Sequence, residues 1–267
     1  MSMLVYRPCT RQVARLAALG LFGLIFGLPL AILLLAAVTG QWNGVLPTIL
    51  TLRHVRALLG GDQGASLWHS IATGLAASLI AVLLGGGGAL AARDLPAGFR
   101  RGLDALYFLP IALPSASIGL ALLITFSQPP ILLNGTVALV VMAHVVLITA
   151  YAYANTRAGI ETLPAELEDV AGSLGASQWL ALRSITLPLL APYLLAAFAL
   201  GFALSMGELG ATIMLYPPQW VTAPVQVFAL TDRGDIYAGA ALGVALLACT
   251  FLVLLLLNRQ KPRILRP

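Results

Sequence analysis

The chain has 267 residues, of which 60% are hydrophobic and 9% are charged, and its formal net charge at pH 7 is +5. A soluble domain contains about 25% charged residues, so this composition excludes a soluble globular protein and indicates a chain solvated mainly by lipid. The cations are dispersed at the ends of apolar segments and form no basic stripe, which argues against a nucleic-acid-binding protein.

Six apolar runs are long enough to cross a membrane, since a helix needs about 20 residues to span the hydrocarbon core. They do not alternate apolar and polar residues as the strands of a membrane β-barrel do. The glycine run 85–88 is expected to end the second helix, and Pro110 and Pro114 are expected to kink the third. The sequence therefore predicts an all-α polytopic membrane protein with six helices, at 16–38, 66–92, 105–127, 136–156, 185–216 and 237–257.

The distribution of Lys and Arg predicts the orientation of these helices. Twelve of the fifteen cations lie on the side of the amino terminus, and only Arg53, Arg56 and Arg233 lie on the other side. Because cytoplasmic loops are enriched in Lys and Arg, both termini are expected in the cytoplasm. The predicted organisation is a cytoplasmic tail at 1–15, a first transmembrane helix at 16–38, a core of five further spans at 66–257 that includes a cytoplasmic loop at 157–184, and a cytoplasmic tail at 258–267.

The loop between the fourth and fifth helices concentrates acidic residues. It contains four of the ten in the chain, namely Glu161, Glu166, Glu168 and Asp169. Apolar residues recur there at helical spacing, at Leu163, Leu167, Val170, Ala171 and Leu174, which predicts a short amphipathic helix. A helix lying in lipid headgroups normally carries Lys and Arg on its polar face, so the acidic face favours a protein partner over a lipid surface.

The spacing of Asp169-Val170-Ala171, three residues, Gly175, nine residues and Ile185-x-Leu187-Pro188 resembles the EAA loop of type I ABC importer permeases. Asp169 replaces the Glu of the family pattern, and Val170 replaces an Ala. The resemblance implies a six-helix type I importer transmembrane domain whose cytoplasmic coupling helix sits in a cleft of the ATP-binding subunit. The residues that it assigns to ATPase coupling are Glu166, Leu167, Asp169, Val170, Ala171, Leu174, Gly175, Ile185, Leu187 and Pro188.

The resemblance also implies an assembly of several subunits in the bacterial inner membrane. These are a second permease, expected to be a different chain, two ATP-binding subunits and a periplasmic substrate-binding protein. A phosphate-binding loop needs the pattern G-x-x-x-x-G-K-[ST], whereas the one lysine of this sequence, Lys261, is followed by Pro262. The chain is therefore predicted not to be an enzyme and to bind no cofactor itself, with ATP and Mg²⁺ held by the partner subunits.

Four segments are similar to the permeases of 2-aminoethylphosphonate importers, at 41–47, 108–115, 205–212 and 230–235. The third of them contains a Gly-Glu-x-Gly-Ala-Thr element that is shared with molybdate, sulfate and iron permeases. The resemblance implies 2-aminoethylphosphonate as the substrate. Import of iron(III), molybdate or sulfate, thiamine or a polyamine remains the alternative.

Glu208 is the one acid inside a predicted span. A charged residue at the centre of a membrane helix costs about 2.5–3.5 kcal/mol on insertion scales, so Glu208 is expected to face a wet cavity or a partner. A gating role and a packing role both stay open. The candidates for the pathway or its gate are Ser205, Gly207, Glu208, Gly210 and His144. His144 is expected to be neutral and hydrogen-bonded across helices, and a contact with Glu208 is a hypothesis.

The loop at 216–236 carries candidates for docking of the binding protein, namely Trp220, Asp232, Arg233 and Asp235. Mixed charge suits the docking of a soluble protein, and a merely solvated loop is an equally open interpretation. The two cysteines, Cys9 and Cys249, form no CxxC pattern, and no metal site is predicted.

Two other classes of membrane protein fit the sequence less well. An ion-gradient-driven transporter often holds several buried ionisable groups and shows inverted repeats, whereas this sequence has one such acid and no internal repeat. An intramembrane serine protease needs a serine activated by a base, and no G-x-S-G element is present.

Overall fold

The computed structural model describes residues 8–164 and 166–259. The predicted tails at 1–15 and 258–267 lie partly outside these residues. Within the described part, the first helix begins at Pro8 and the last ends at Arg259. Two compact units divide the chain, one at Met1–Gln63 with Val227–Ala245 and the other at Gly64–Gln226 with Leu246–Pro267.

The first unit begins with an apolar helix that carries a widened turn. The helix consists of α1 (Pro8–Phe22), a π-helical turn (Gly23–Gly27) and α2 (Leu28–Ala37). A two-stranded antiparallel ribbon follows, in which Thr39 of β1 (Thr39–Gln41) pairs with Leu50 of β2 (Ile49–Leu50). The unit also contains α3 (Arg53–Ala57), the end of α12 (Ala223–Asp232) and the start of α13 (Ile236–Arg259).

The second unit contains the long helices of the core. In chain order they are α4 (Gly61–Arg93), α5 (Ala97–Phe108), a 3-10 segment (Leu109–Ala112), α6 (Ser115–Phe126), α7 (Val137–Thr162), α8 (Glu166–Ser173), α9 (Gln178–Ala181), a π-helical turn (Leu182–Thr186), α10 (Leu187–Met206) and α11 (Thr212–Leu215). The centre of this unit is α7, which packs against α4 and α10 through small side chains such as Ala77, Ala152 and Ala197.

Five described helices are long and apolar enough to span a membrane, at Arg11–Ala37, Gly61–Arg93, Val137–Thr162, Gln178–Met206 and Ile236–Leu257. A sixth span exists if the pair Ala97–Ala112 and Ser115–Phe126, bent by 104°, is counted as one. The all-α membrane fold is therefore confirmed. The third span, however, is broken and not merely kinked. Pro114 has no N–H and disfavours a helical residue before it, and Leu113 is extended accordingly.

The fifth predicted span is also interrupted. Helix α10 ends at Met206, and four residues of α11 resume only at Thr212. The expectation that Glu208 lies inside a continuous helix is wrong, because Gly207 and Gly210 flank it in a region where the backbone leaves the helical conformation.

Two helices widen directly before a proline. The turn Gly23–Gly27 precedes Pro29, and the turn Leu182–Thr186 precedes Pro188. In a regular helix the proline ring collides with the carbonyl four residues earlier. A π-helical turn displaces that carbonyl, so each helix continues through its proline.

The glycine run 85–88 lies inside α4 and does not end it, contrary to the sequence prediction. A Cβ on Gly85 would lie 2.7 Å from the carbonyl oxygen of Thr149 and 2.7 Å from the amide nitrogen of Tyr153, both in the backbone of α7. A Cβ on Gly87 would meet nothing within 4 Å. Gly85 therefore permits close approach of two helices, which membrane helices achieve with small residues.

Gly85→Ala is expected to destabilise the protein, because the backbone of α7 cannot yield as a flexible side chain would. Overpacking of this kind costs about 1–3 kcal/mol. Gly87→Ala is the matched control and should be neutral or slightly stabilising, since alanine favours a helix over glycine by roughly 0.5–1 kcal/mol. Thermal unfolding of both variants in detergent checks the difference, and equal midpoints would contradict the packing role of Gly85.

Candidate functional site

Helix α8 forms because both of its ends are stabilised locally. Glu166, Glu168 and Asp169 lie in its first turn, where carboxylates interact favourably with the positive end of the helix dipole. At the other end, Gly175 has a φ of +88°, which favours glycine. Its N–H donates to the carbonyl of Gly172, and the N–H of Ala176 donates to that of Ala171. These two bonds form a Schellman motif, so Gly175 is required by the backbone.

One side of α8 is exposed and apolar. Val170 is 58% exposed and Leu174, the residue that follows α8, is 84% exposed, whereas Ala171 beside them is buried. Leu167 is also exposed, as are Trp179 and Leu180 in α9. The carboxylates of Glu166 and Asp169 lie on exposed residues of the same short helix. An exposed apolar surface with neighbouring charge is typical of a protein–protein contact.

The side chain of Glu168 attaches α8 to the long helices. Arg93, at the end of α4, donates Nη1–H to Oε1 (2.8 Å) and Nη2–H to Oε2 (2.9 Å) of Glu168. Thr186, in the π-helical turn before α10, donates its hydroxyl to Oε1. Bidentate pairs of this kind are the stronger charge-assisted hydrogen bonds. The hydrogen bonds from Arg93, and then from Thr186, hold the pKa of Glu168 below its usual range.

A cavity of about 410 Å³ adjoins this attachment and is lined by residues of five elements, including Leu189 of α10. Arg93 comes from the end of α4, Ile160 from α7, Leu167 from α8 and Ile185 from the turn before α10. Of the other residues in the Ile-x-Leu-Pro pattern, Leu187 is half-buried at the start of α10 and Pro188 is exposed. The structure thus brings most of the predicted coupling residues to one end of α7 and α10.

His144 lies in the buried centre of the second unit. Its Nδ1 is 2.6 Å from Oγ of Ser205, and its Nε2 is 2.8 Å from Oγ1 of Thr212. Because a hydroxyl can donate or accept, both ring nitrogens are satisfied and the residue links α7 to the end of α10 and to α11. The hypothesised contact with Glu208 is not formed. Glu208 instead accepts the backbone N–H of Ala211 at 2.6 Å.

His144, Ser205 and Glu208 line a second cavity, of about 200 Å³. Its other walls include Pro110 and Ser115 from the break between α5 and α6. A Cβ on Gly210 would collide with Oγ of Ser115, so this glycine lets the two interrupted spans approach each other. The predicted pathway candidates therefore meet where two helices are broken, with polar groups facing a common space.

Trp220 is held inside its own unit. Its Nε1–H donates to Oγ1 of Thr73 at 3.0 Å, and its ring stacks on His69 with 4.1 Å between centroids. The half-buried indole thus joins the segment after α11 to α4. Its assignment to docking of a binding protein stays a prediction.

In the other unit, Asp232, Arg233 and Asp235 are exposed. Oδ1 of Asp235 accepts the N–H of Ala238 at 3.2 Å, which caps the start of α13. Docking of a partner at these three residues also stays a prediction.

Residues 84–266 match the family described as binding-protein-dependent transport system inner membrane component. This match covers more than half of the chain, including α8 and both broken spans. The chain is a type I ABC importer permease.

The relatives of this permease include chains that match nearly its whole length and chains that match part of it. The putative 2-aminoethylphosphonate transport system permease protein PhnV of Salmonella typhimurium is 46% identical over 262 residues, which cover 98% of this chain and 99% of the relative. The sulfate transport system permease protein CysT of Escherichia coli is 31% identical over 174 residues, covering 60% of this chain and 63% of the relative.

The fold has a counterpart in a solved transporter. The crystal structure of a bacterial alginate ABC transporter, in complex with a periplasmic protein that carries an alginate pentasaccharide, contains a chain with a TM-score of 0.75 and 18% identity. The similarity covers 95% of this permease and 94% of that chain. It confirms the fold.

The sequence alone did not indicate the attachment of α8. Glu168 was one acid among four, and Arg93 was one cation among those that predict orientation. Their partnership joins residues 75 positions apart, which no local spacing reveals. The available signal was an Arg at the end of one span and an acid at the start of the polar loop.

Replacing Glu168 by Gln is expected to lower the stability of the permease at neutral pH. The folded-state pKa of Glu168 lies below its unfolded value, so its ionised form stabilises the fold above about pH 4.3, the ordinary value for Glu. That stabilisation is lost as pH falls through the lower, folded-state pKa. A half-exposed ion pair contributes up to about 1 kcal/mol to the free energy of unfolding. This corresponds to roughly 2–4 °C in the unfolding midpoint of a chain of this size.

Thermal unfolding in detergent at a series of pH values measures this effect. The gap in unfolding midpoint between the wild type and Glu168→Gln should be constant from pH 7 to pH 5. It should close below pH 4. Glu161→Gln is the control, because Glu161 is an exposed acid near α8 that pairs with Arg157 and not with Arg93. A gap that does not depend on pH would refute the ionic attachment.

Proposed function

We propose that this permease is the transmembrane subunit of an ATP-driven importer of 2-aminoethylphosphonate, and that α8 is the segment on which a separate ATPase subunit docks. The observation that carries the docking proposal is the geometry of α8. Val170 and Leu174 are exposed on one side, while Glu168 holds the helix to α4 and to the start of α10 on the other. A partner that moves α8 therefore moves the ends of long membrane helices.

The substrate proposal is supported by similarity at full length. The 2-aminoethylphosphonate permeases match 98% of the chain at 46% identity, whereas the sulfate permease matches 60% at 31%. An inorganic oxyanion is the second candidate class, because the sulfate relative favours it. Coverage of the whole chain favours the aminophosphonate.

The proposed assembly contains a second, different permease, two ATP-binding subunits that hold ATP and Mg²⁺, and a periplasmic substrate-binding protein. This division of labour is supported by the sequence, whose one lysine, Lys261, lies in no phosphate-binding loop. We place α8 and both termini in the cytoplasm, on the side where Lys and Arg are concentrated. The exposed residues Asp232, Arg233 and Asp235 are proposed to face the binding protein in the periplasm.

Reversing the charge of Asp169 tests the docking proposal. Asp169→Lys should reduce co-purification of the ATPase subunits with a tagged permease at least tenfold, because an exposed carboxylate of α8 becomes repulsive to a complementary partner. Asp62→Lys, a reversal at an exposed acid outside α8, is the matched control and should leave co-purification unchanged. Undiminished ATPase recovery with Asp169→Lys, at normal permease levels in the membrane, would refute docking at α8.

Uptake by the complete importer in vesicles tests the substrate and the energy source together. Labelled 2-aminoethylphosphonate should enter only with ATP and with the ATPase subunits present, and excess sulfate should not compete. If sulfate competes as strongly as unlabelled 2-aminoethylphosphonate, the proposed substrate is wrong. Uptake that persists without the ATPase subunits, and collapses with the proton gradient, would instead identify an ion-driven transporter.

A further inference from the structure

A polar and aromatic cluster joins α5 to α7 and α4 near the origin of α8. We call it the clamp and define it by Asp104 and Tyr107 of α5 with Tyr153 and Arg157 of α7. None of its members belongs to the EAA-like spacing, and the proposed function does not use them. Along α7, Tyr153 and Arg157 nevertheless lie between Tyr151, which lines the cavity of about 200 Å³, and the end of the helix that leads to α8.

The polar part of the clamp converges on one carboxylate. The hydroxyl of Tyr153 donates to Oδ1 of Asp104 at 2.6 Å, and Nη1–H of Arg157 donates to the same oxygen. Tyr153 and Arg157 are four residues apart on α7 and therefore share one face of the helix. Arg157 also pairs with Glu161 one turn later, at 3.3 Å from Nε. Asp104 therefore connects α5 to the last turns of α7 through these hydrogen bonds.

The aromatic part fixes the orientation of α5. The rings of Tyr107 and Tyr153 stack with 4.3 Å between centroids and 8° between planes, and Phe108 meets Tyr153 edge-on at 6.1 Å. The hydroxyl of Tyr107 donates to the carbonyl of Leu84 in α4 at 3.0 Å. This phenol passes over Gly88, where a Cβ would collide with it. Helix α5 is therefore held against two helices at once.

The clamp connects on one side to α8. Helix α7 ends at Thr162 and α8 begins at Glu166, so only three residues separate them. Arg157 lies five residues before the end of α7. A linker of three residues spans at most about 10 Å when fully extended, so a displacement of α8 beyond that reach moves the end of α7.

On the other side the clamp connects to the cavity. The 3-10 segment Leu109–Ala112 follows α5 directly, and its Pro110 and Ile111 line the cavity together with His144 and Glu208. The 104° bend separates this segment from α6. A shift of α5 therefore moves one wall of the cavity. It does not require α6 to move with α5 as one rigid body.

We infer that the clamp transmits displacement of α8 to the cavity wall, and that Asp104 is a positioning residue for transport. This inference rests on the proposed docking of an ATPase at α8. It goes further by naming the contact through which the motion passes. Disrupting the clamp should leave ATPase docking and ATP hydrolysis unchanged. Displacement of α8 should then no longer move the wall of the cavity.

The test uses the complete importer reconstituted in vesicles, with uptake and ATP hydrolysis measured in the same preparation. Asp104→Asn keeps an acceptor for Tyr153 but removes the charge that faces Arg157. The molecules transported per ATP hydrolysed should fall at least tenfold, while ATP hydrolysis stays within about twofold of the wild type. The double variant Asp104→Arg, Arg157→Asp exchanges the two charges. It should restore part of the lost transport per ATP hydrolysed.

Glu161→Gln is the matched control, because it removes the other carboxylate partner of Arg157 without touching α5, and its ratio should be unchanged. Tyr107→Phe, which deletes only the hydroxyl bonded to Leu84, is a milder second variant and should lower the ratio in the same direction. If Asp104→Asn and Tyr107→Phe reduce hydrolysis and uptake in parallel, the clamp serves stability alone and the inference is overturned. Recovery of the ATPase subunits with both variants separates this failure from a failure of docking at α8.

Discussion

The position of α8, and its connection to the membrane helices, depends on the bidentate contact between Arg93 and Glu168. Of the eight residues in α8, only Ala171 is buried, so apolar burial contributes little to holding this helix in place. The guanidinium of Arg93 and the hydroxyl of Thr186 supply instead a polar attachment to α4 and α10. A helix held by a few directed bonds at one edge leaves its other side available to a partner, and it passes force to the helices that it touches.

The membrane-spanning part is held by different means. Lipid tails are as apolar as the side chains between helices, so packing and interhelical hydrogen bonds replace the hydrophobic effect there. Gly85 brings α4 against the backbone of α7, and a Cβ on Gly159 would lie 2.6 Å from the ring of Tyr193 in α10. His144 adds two hydrogen bonds to hydroxyls across the same centre. Beside the smaller cavity the two broken spans are also in close contact, since a Cβ on Gly210 would collide with Oγ of Ser115.

Periodicity and hydropathy predicted the helical membrane class and the short polar helix, because both follow from neighbouring residues. Gly175 has a positive φ that its place after an amphipathic turn already favours. The breaks were only partly predicted. Prolines indicate a kink, but the 104° bend and the end of α10 before Glu208 depend on packing against other helices. The pairs Arg93–Glu168 and Asp104–Arg157 were not predicted, since they join residues 75 and 53 positions apart.

A double-mutant cycle between Arg93 and Glu168 tests most directly whether one contact carries force from α8 to α4. Arg93→Gln, Glu168→Gln and the double variant are compared in the reconstituted importer by the molecules transported per ATP hydrolysed. If the two side chains act through their mutual contact, the double variant should lose no more than either single variant. Losses that multiply, so that the double variant is impaired by the product of the two single effects, would contradict the account.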